Sequence, residues 1–353
     1  MNKRNCGIDL LKIFSMFSIV LLHVLLRSGS LEYSEQEKDL YFFIVWILEI
    51  IAYSAVDIFA LITGYLCYKK DFKITNMLYI WISLLFYSYL ILLIYYFFVS
   101  KNISNDLALN CIFPVLRGYW WYISAYIGVQ FLSPYLNTAI KMLNKRELIC
   151  YAFLLLIPFS CLNILRNGGS FNCEYGYSVI WLLILYIIGG TIEKTNILEK
   201  ISIKISLILL LTGIFCTYLL KSFGIDKLIG YTSPVMVINS ICFLVIFSKI
   251  KIRNKKIVKV IEVVSGVNLD VYLIHIHPVL WGGIWGSLIE IFNKNNTSNK
   301  ICYLFLFPFL IYITCLFCAF FKDLLFHLCK VGKFCSYLNE KFFLCIKKRG
   351  GDV

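Results

Sequence analysis

GIDLLKIFSMFSIVLLHV, residues 7–24, is apolar enough to enter a membrane, and it still carries Asp9, Lys12 and His23. Lys12 and His23 are eleven residues apart. At about 100° per residue this is within about 20° of three full turns, so the two share one helix face, separated by roughly 16 Å along the axis. Asp9, three residues before Lys12, points the same way. The helix therefore shows a polar stripe, with a carboxylate and an ammonium near one end and an imidazole deep inside. An ionisable group at such depth costs about 3 kcal/mol on insertion scales and usually faces a bundle interior or a pathway. Taken singly, Asp9 and Lys12 fit an interfacial ion pair with Lys12 snorkelling, and His23 fits a packing hydrogen bond between helices. The stripe as a whole favours function.

The run has charges inside it and no small-residue cleavage site after it, so it reads as a mature helix and not a secretory signal. The rest of the chain has the same character. Its 353 residues are 60% hydrophobic and 15% charged, with a mean hydropathy of +0.79. Soluble domains are nearer half apolar and a quarter charged. The class is an all-α, polytopic membrane protein. Spans need about 20 apolar residues. Ten candidates lie at about 8–27, 40–67, 78–99, 119–140, 149–165, 178–192, 201–220, 233–248, 267–292 and 302–325. The second is long and is expected to break near Ala52–Val56. Residues 1–325 then form a ten-helix transmembrane domain, and 326–353 a basic amphipathic cytoplasmic tail on the membrane surface.

The net charge of +14 raises the question of nucleic acid, and the position of the charges answers it. With the N-terminus in the cytoplasm, 25 of the 34 basic residues fall inside and 9 outside. Every inner loop obeys the positive-inside rule, which supports ten spans with both termini cytoplasmic and explains the charge without nucleic acid. Of 14 cysteines, most sit in apolar segments and read as small hydrophobes. Cys315 and Cys318 form a CxxC without the second ligand pair that a zinc site needs, so no metal is expected. Cys111 and Cys173 fall in outer loops, which leaves a disulfide open.

Three further stretches place polar groups in apolar surroundings. In AYSAVDIFALITGYLCYKK (52–70), Asp57 lies roughly 18 Å in from Lys69–Lys70, a depth similar to that of His23. A carboxylate at that level orients an imidazole and raises its basicity, as in a triad; equally, it caps the second half of a broken helix. In GYWWYISAYIGVQFLSPYLN (118–137), Trp120, Trp121 and Tyr122 form an interfacial belt or a stacking face for a sugar ring, and Gln130 faces the bundle. In LDVYLIHIHPVLWG (269–282), His275 and His277 are two apart and point to nearly opposite sides. They cannot share one site, so one of them is structural, and Pro278 kinks the helix after them.

Together these stretches resemble acyltransferase family 3, membrane acetyltransferases of about ten helices. Asp9-x2-Lys12-x10-His23 resembles the family's D-x-x-R-x10-H opening. FALITGYL (59–66) is similar to its FFxxSGYL run, YWWYISAYIGVQFLSPYLN (119–137) to its aromatic segment ending in SP-x-L, and VYLIHIHP (271–278) to its closing YLxH helix. Lys12 replaces the commoner Arg, keeping charge but losing the planar fork, and Thr63 replaces Ser. No appended soluble domain follows, as in the stand-alone members.

The resemblance implies transfer of an acetyl group from acetyl-CoA, as co-substrate, to a hydroxyl of a surface polysaccharide or a lipid-linked sugar precursor. His23 is then the base or acyl carrier, with Asp57 behind it. Lys12, beside Asp9, holds CoA phosphates with Lys69, Lys70 or Lys73. Trp120, Trp121, Tyr122 and His275 face the acceptor. The expected setting is the plasma membrane, among its lipids, of a bacterium whose genome is AT-rich, judged from Ile, Lys and Asn usage. The competing reading is a carrier or flippase for lipid-linked sugars, although a carrier gains little from a histidine aligned with an anion site. A polysaccharide polymerase would present a large basic outer loop, and the motifs of membrane-bound O-acyltransferases do not fit these positions.

Overall fold

The structure, a computed structural model, describes residues 4–166, 171–281, 286, 292 and 297–349. Among these there is no strand. Helices α1 (Cys6–Arg27), α2 (Ser30–Glu37), α3 (Leu40–Tyr53), α4 (Ala55–Cys67) and α5 (Ile74–Phe98) are followed by the short α6 (Asn105–Ile112). Next come α7 (Trp121–Met142), α8 (Lys145–Leu156) and α9 (Leu162–Arg166), then α10 (Val179–Thr195), α11 (Ile197–Lys200) and α12 (Ile203–Ser222). The last are α13 (Pro234–Ser248), α14 (Lys255–His275), α15 (Thr297–Leu328) and α16 (Val331–Arg349).

Among the described residues, six helical segments are long and apolar enough to cross a membrane: Cys6–Arg27, Leu40–Cys67, Ile74–Phe98, Lys145–Ile164, Ile203–Ser222 and Asn299–Leu328. Two other expected spans form helices too short for this, α10 with 17 residues and α13 with 15. The expected break near Ala52–Val56 falls at Ser54, between α3 and α4. The hydroxyl of Ser240 donates to the carbonyl of Ser54 at 3.1 Å, which ties α13 to the break at an oxygen that also accepts from the Ile58 N–H at 3.0 Å. Lys145–Ile164 contains a π-helical turn, Ile157–Cys161, where Pro158 removes one N–H from the ladder.

The ninth span differs from its expected bounds. α14 begins at Lys255, capped by Asn254, and ends at His275, whereas 267–292 was expected. Its early turns are lysine-rich and polar, so a hydropathy window slides past them. Pro278 follows the end of the helix and does not kink it. Residues 282–285 and 287–291 of that span lie outside the described residues, as do Lys3 and Lys294. The tail helix α16 lies on α5, where the Asn339 side chain accepts from the backbone N–H of Ile74 at 2.9 Å. Cys111 and Cys173 are both free thiols, so the disulfide left open above is not formed.

α1 is the hub of the bundle, packed against α3, α4, α13, α14 and α15. α1 and α14 run parallel: contacts at Asp9–Ser265, Lys12–Asn268 and His23–His275 advance together along both helices. α4 and α10 cross more closely than side chains allow. A Cβ on Gly64 would stand 1.9 Å from the carbonyl oxygen of Tyr186, and one on Gly189 2.1 Å from that of Leu61. Small residues that let backbones meet are how helices associate without a hydrophobic driving force.

Candidate active site

Asp9 opens the α1 stripe. Its carboxylate takes Arg4 at 2.5 Å, Lys12 at 3.1 Å and the Ser265 hydroxyl at 3.0 Å. Lys12 and Arg4 line a cavity of about 460 Å³ that extends to α5, α14 and α15. A second cavity, about 450 Å³, is lined by Lys69, Lys70 and Lys73, and Asn76 belongs to both walls. Lys69 pairs with Glu193 at 2.6 Å. The expected cationic residues thus surround two adjoining cavities at the ends of α1 and α4.

His23 sits at the far end of the stripe in a small cavity of about 30 Å³, walled by Trp121, Tyr122, Leu269 and Tyr272 among others. Leu269 also lines the Lys12 cavity, so one side chain separates the two. The Nδ1 of His23 lies 2.8 Å from the Nε2 of His275, and the Nδ1 of His275 lies 2.7 Å from the carbonyl of Val271. A carbonyl only accepts, so His275 donates through Nδ1 and, when neutral, keeps its lone pair on Nε2. His23 then donates through Nδ1. Its own lone pair is left on Nε2, on the ring that walls the cavity. The Trp281 ring meets His23 edge-on at 4.8 Å and carries the Arg27 guanidinium on its face at 4.6 Å.

The structure therefore separates residues that the sequence grouped. Asp57 does not hold His23. It is fully buried, and its Oδ1 accepts from the Trp181 indole at 3.1 Å. No side-chain cap at the start of α4 is formed either. Trp120 is a core residue, donating to the carbonyl of Leu273 at 3.1 Å and meeting His277 edge-on, whereas Trp121 and Tyr122 reach the His23 cavity. His277 accepts from the Val279 N–H and contacts the Ser88 carbonyl at 3.2 Å, which makes it the structural member of the histidine pair. Sequence reasoning passed over Arg4 and the ion pair Lys322–Asp270, 2.9 Å apart with side chains 2% and 8% exposed, on the wall of the Lys12 cavity. Asp270 lay in a quoted stretch five residues before His275, and its charge inside an apolar run was the available signal.

A membrane bundle with a stripe of this kind is now matched by the comparisons with known proteins. The acyltransferase domain model of acyltransferase family 3 covers residues 5–323. The chain belongs to that family. Among curated proteins and among solved structures, none matches it. As a membrane acyltransferase, it needs an activated acyl donor brought to a base or nucleophile beside an acceptor. Leu269 stands on the walls of both the Lys12 cavity and the His23 cavity.

Proposed function

We propose that this acyltransferase moves the acetyl group of acetyl-CoA to a hydroxyl of a surface polysaccharide or its lipid-linked precursor, across the plasma membrane of a bacterium. The observation that carries the reading is the hydrogen-bonded chain from the Val271 carbonyl through His275 to His23, which leaves a lone pair on Nε2 at the cavity. Arg4, Lys12, Lys69, Lys70 and Lys73 face the CoA phosphates, and the pantetheine arm passes Leu269 to bring the thioester to His23. The Nε2 of His23 takes the proton of the acceptor hydroxyl as its oxygen attacks the thioester carbonyl. The tetrahedral adduct collapses, the C–S bond breaks, and the proton on Nε2 passes to the departing thiolate. The deciding experiment supplies purified protein with acetyl-CoA and a membrane glycan extract, and follows CoA release by mass spectrometry. Release that depends on the extract is expected; a folded protein that releases none, with any acceptor, overturns the reading and returns the carrier.

Two expectations follow. Lys12→Ala is expected to raise the KM for acetyl-CoA about tenfold, the scale of one charge-assisted contact, with kcat little changed. Lys12→Arg is expected to keep most of the activity. An unchanged KM in the alanine variant would assign Lys12 to its pair with Asp9 alone. The topology we propose has ten spans with both termini cytoplasmic. A membrane-impermeant thiol reagent applied from outside is expected to label a cysteine at Gly230, between α12 and α13, and to miss one at Lys251, between α13 and α14, each relative to the parent chain. The reverse pattern would invert the model.

A further inference from the structure

Glu49 lies in the last turns of α3, just before the break at Ser54. It is 6% exposed, and its Oε2 has no hydrogen-bond partner among the described residues. Tyr53 and Asp57 follow at four-residue steps, and the Oδ2 of Asp57 is equally buried and equally without a partner among those residues. Buried polar atoms are nearly always paired, and broken helices within a bilayer are found where they line a cavity or a binding site. Two unpartnered carboxyl oxygens flanking such a break therefore mark a place for a ligand that hydrogen-bonds to them.

The rings around them have the shape for one. Tyr231 meets Tyr53 at 4.8 Å and Tyr177 at 5.2 Å, and it stacks on Trp121 with centroids 6.1 Å apart and planes 29° from parallel. Glu49 lies one helical turn before Tyr53 on α3. Trp121 and Tyr231 are also walls of the His23 cavity, so the cluster and the base share one boundary. Tyr177 arrives on a constrained loop, where Glu174, Tyr175 and Gly176 take φ values of 50°, 57° and 100°. Two non-glycine residues in that region in succession are uncommon, and their strain is held by packing. Gly176 is pressed under Tyr231, where a Cβ would come within 2.4 Å. The Trp181 that follows is the indole that binds Asp57.

We propose that this cluster is the acceptor site, built for an uncharged, polyhydroxylated ring. The ring lays a C–H face on Trp121 and Tyr231, gives hydroxyl hydrogens to Glu49 and Asp57, and turns a further hydroxyl toward His23. The proposal rests on the sugar-acceptor reading above and adds its residues. The cavity at His23 has room for about one water, so an entering ring displaces an aromatic side chain. Tyr177, on the strained loop, is the one placed to yield. A sugar carboxylate buried among these rings without a paired cation would pay a large desolvation cost, which is why the ring is neutral.

Saturation-transfer NMR on the purified full chain in nanodiscs tests the site without any turnover. The probes are methyl glycosides of glucose and of N-acetylglucosamine, with glucuronate and choline alongside. The neutral glycosides are expected to bind in the millimolar range through their ring C–H protons. Trp121→Ala should weaken them at least tenfold and Glu49→Gln at least fivefold, whereas Tyr177→Ala, which removes the side chain a ring must displace, should not weaken them. If the Trp121→Ala variant does not fold, the near-isosteric Glu49→Gln carries the test. Glycoside affinity unaltered by Glu49→Gln in a folded protein overturns the site, as does binding of choline or glucuronate in place of the neutral rings. The two readings fail separately. Glycosides that bind to a protein inert toward acetyl-CoA would leave this site and remove the transfer chemistry; acetyl-CoA consumption without glycoside binding would do the converse.

Discussion

His23→Ala is expected to lower acyl transfer by at least about 10²–10⁴-fold, the contribution of a positioned general base, while the protein still inserts and folds. The folded state loses one interhelical hydrogen bond, worth about 1 kcal/mol in a membrane, and one edge contact with Trp281. The measurement is transfer at matched expression, with the thermal midpoint of the purified variant as the folding control. Activity near that of the parent would end the assignment of His23, whatever the state of the CoA cavity. His23→Gln adds information, because its amide can still bond to His275 but has no basic lone pair. It should be as inactive as the alanine variant while keeping parental stability.

The second large effect belongs to His275, which we assign as a positioning residue. Its bond to the Val271 carbonyl forces the lone pair onto Nε2, and that lone pair in turn fixes the His23 tautomer. Losing the partner that sets a catalytic tautomer costs about 10⁴ in kcat in a serine-protease triad. His275→Ala is expected to fall toward that scale in kcat, with the KM for acetyl-CoA nearly unchanged. His275→Gln, which retains an oxygen acceptor for the Nδ1–H of His23, should recover part of the loss. The double variant should be no worse than His23→Ala alone, since residues that act as a unit are not additive. Asp57→Asn should behave otherwise. Its carboxylate binds Trp181 and not His23, so its effect should multiply with that of His23→Ala. Multiplying losses for His23 and His275 would break the relay apart.

What could be read from the sequence was whatever local geometry determines. The spacing from Asp9 through Lys12 to His23 gave one face of one helix, and the structure puts Lys12 and His23 on cavities with Leu269 between them. The length of the second apolar run announced the break at Ser54, and the two-residue spacing of His275 and His277 required different surroundings for them. Depth counting failed for Asp57 because it gives a height along the membrane normal and no direction around the axis. Asp57 is level with the site yet turned to Trp181 on α10. Trp120 and Trp121 look alike in sequence, but Trp120 is the non-helical residue that precedes α7 and turns into the core, whereas Trp121 opens the helix at the cavity. Lys322 read as an inner anchor beside a basic tail; only the packing of α15 on α14 makes it the partner of Asp270.

The partners of His23 and Asp9 differ in when they exist. Asp9 finds Lys12 three residues away and Arg4 five residues away, so its charge is covered as soon as the first helix leaves the ribosome. His23 waits for a residue 252 positions later. At bacterial and eukaryotic synthesis rates of roughly 5–20 residues per second, that interval is about 10–50 s. During it the imidazole lies in a half-built bundle with no α14 to receive its proton. A chain cut short before residue 275 therefore keeps an imidazole without its partner from α14. The bond that fixes the tautomer of His23 thus forms only once α14 has joined the bundle.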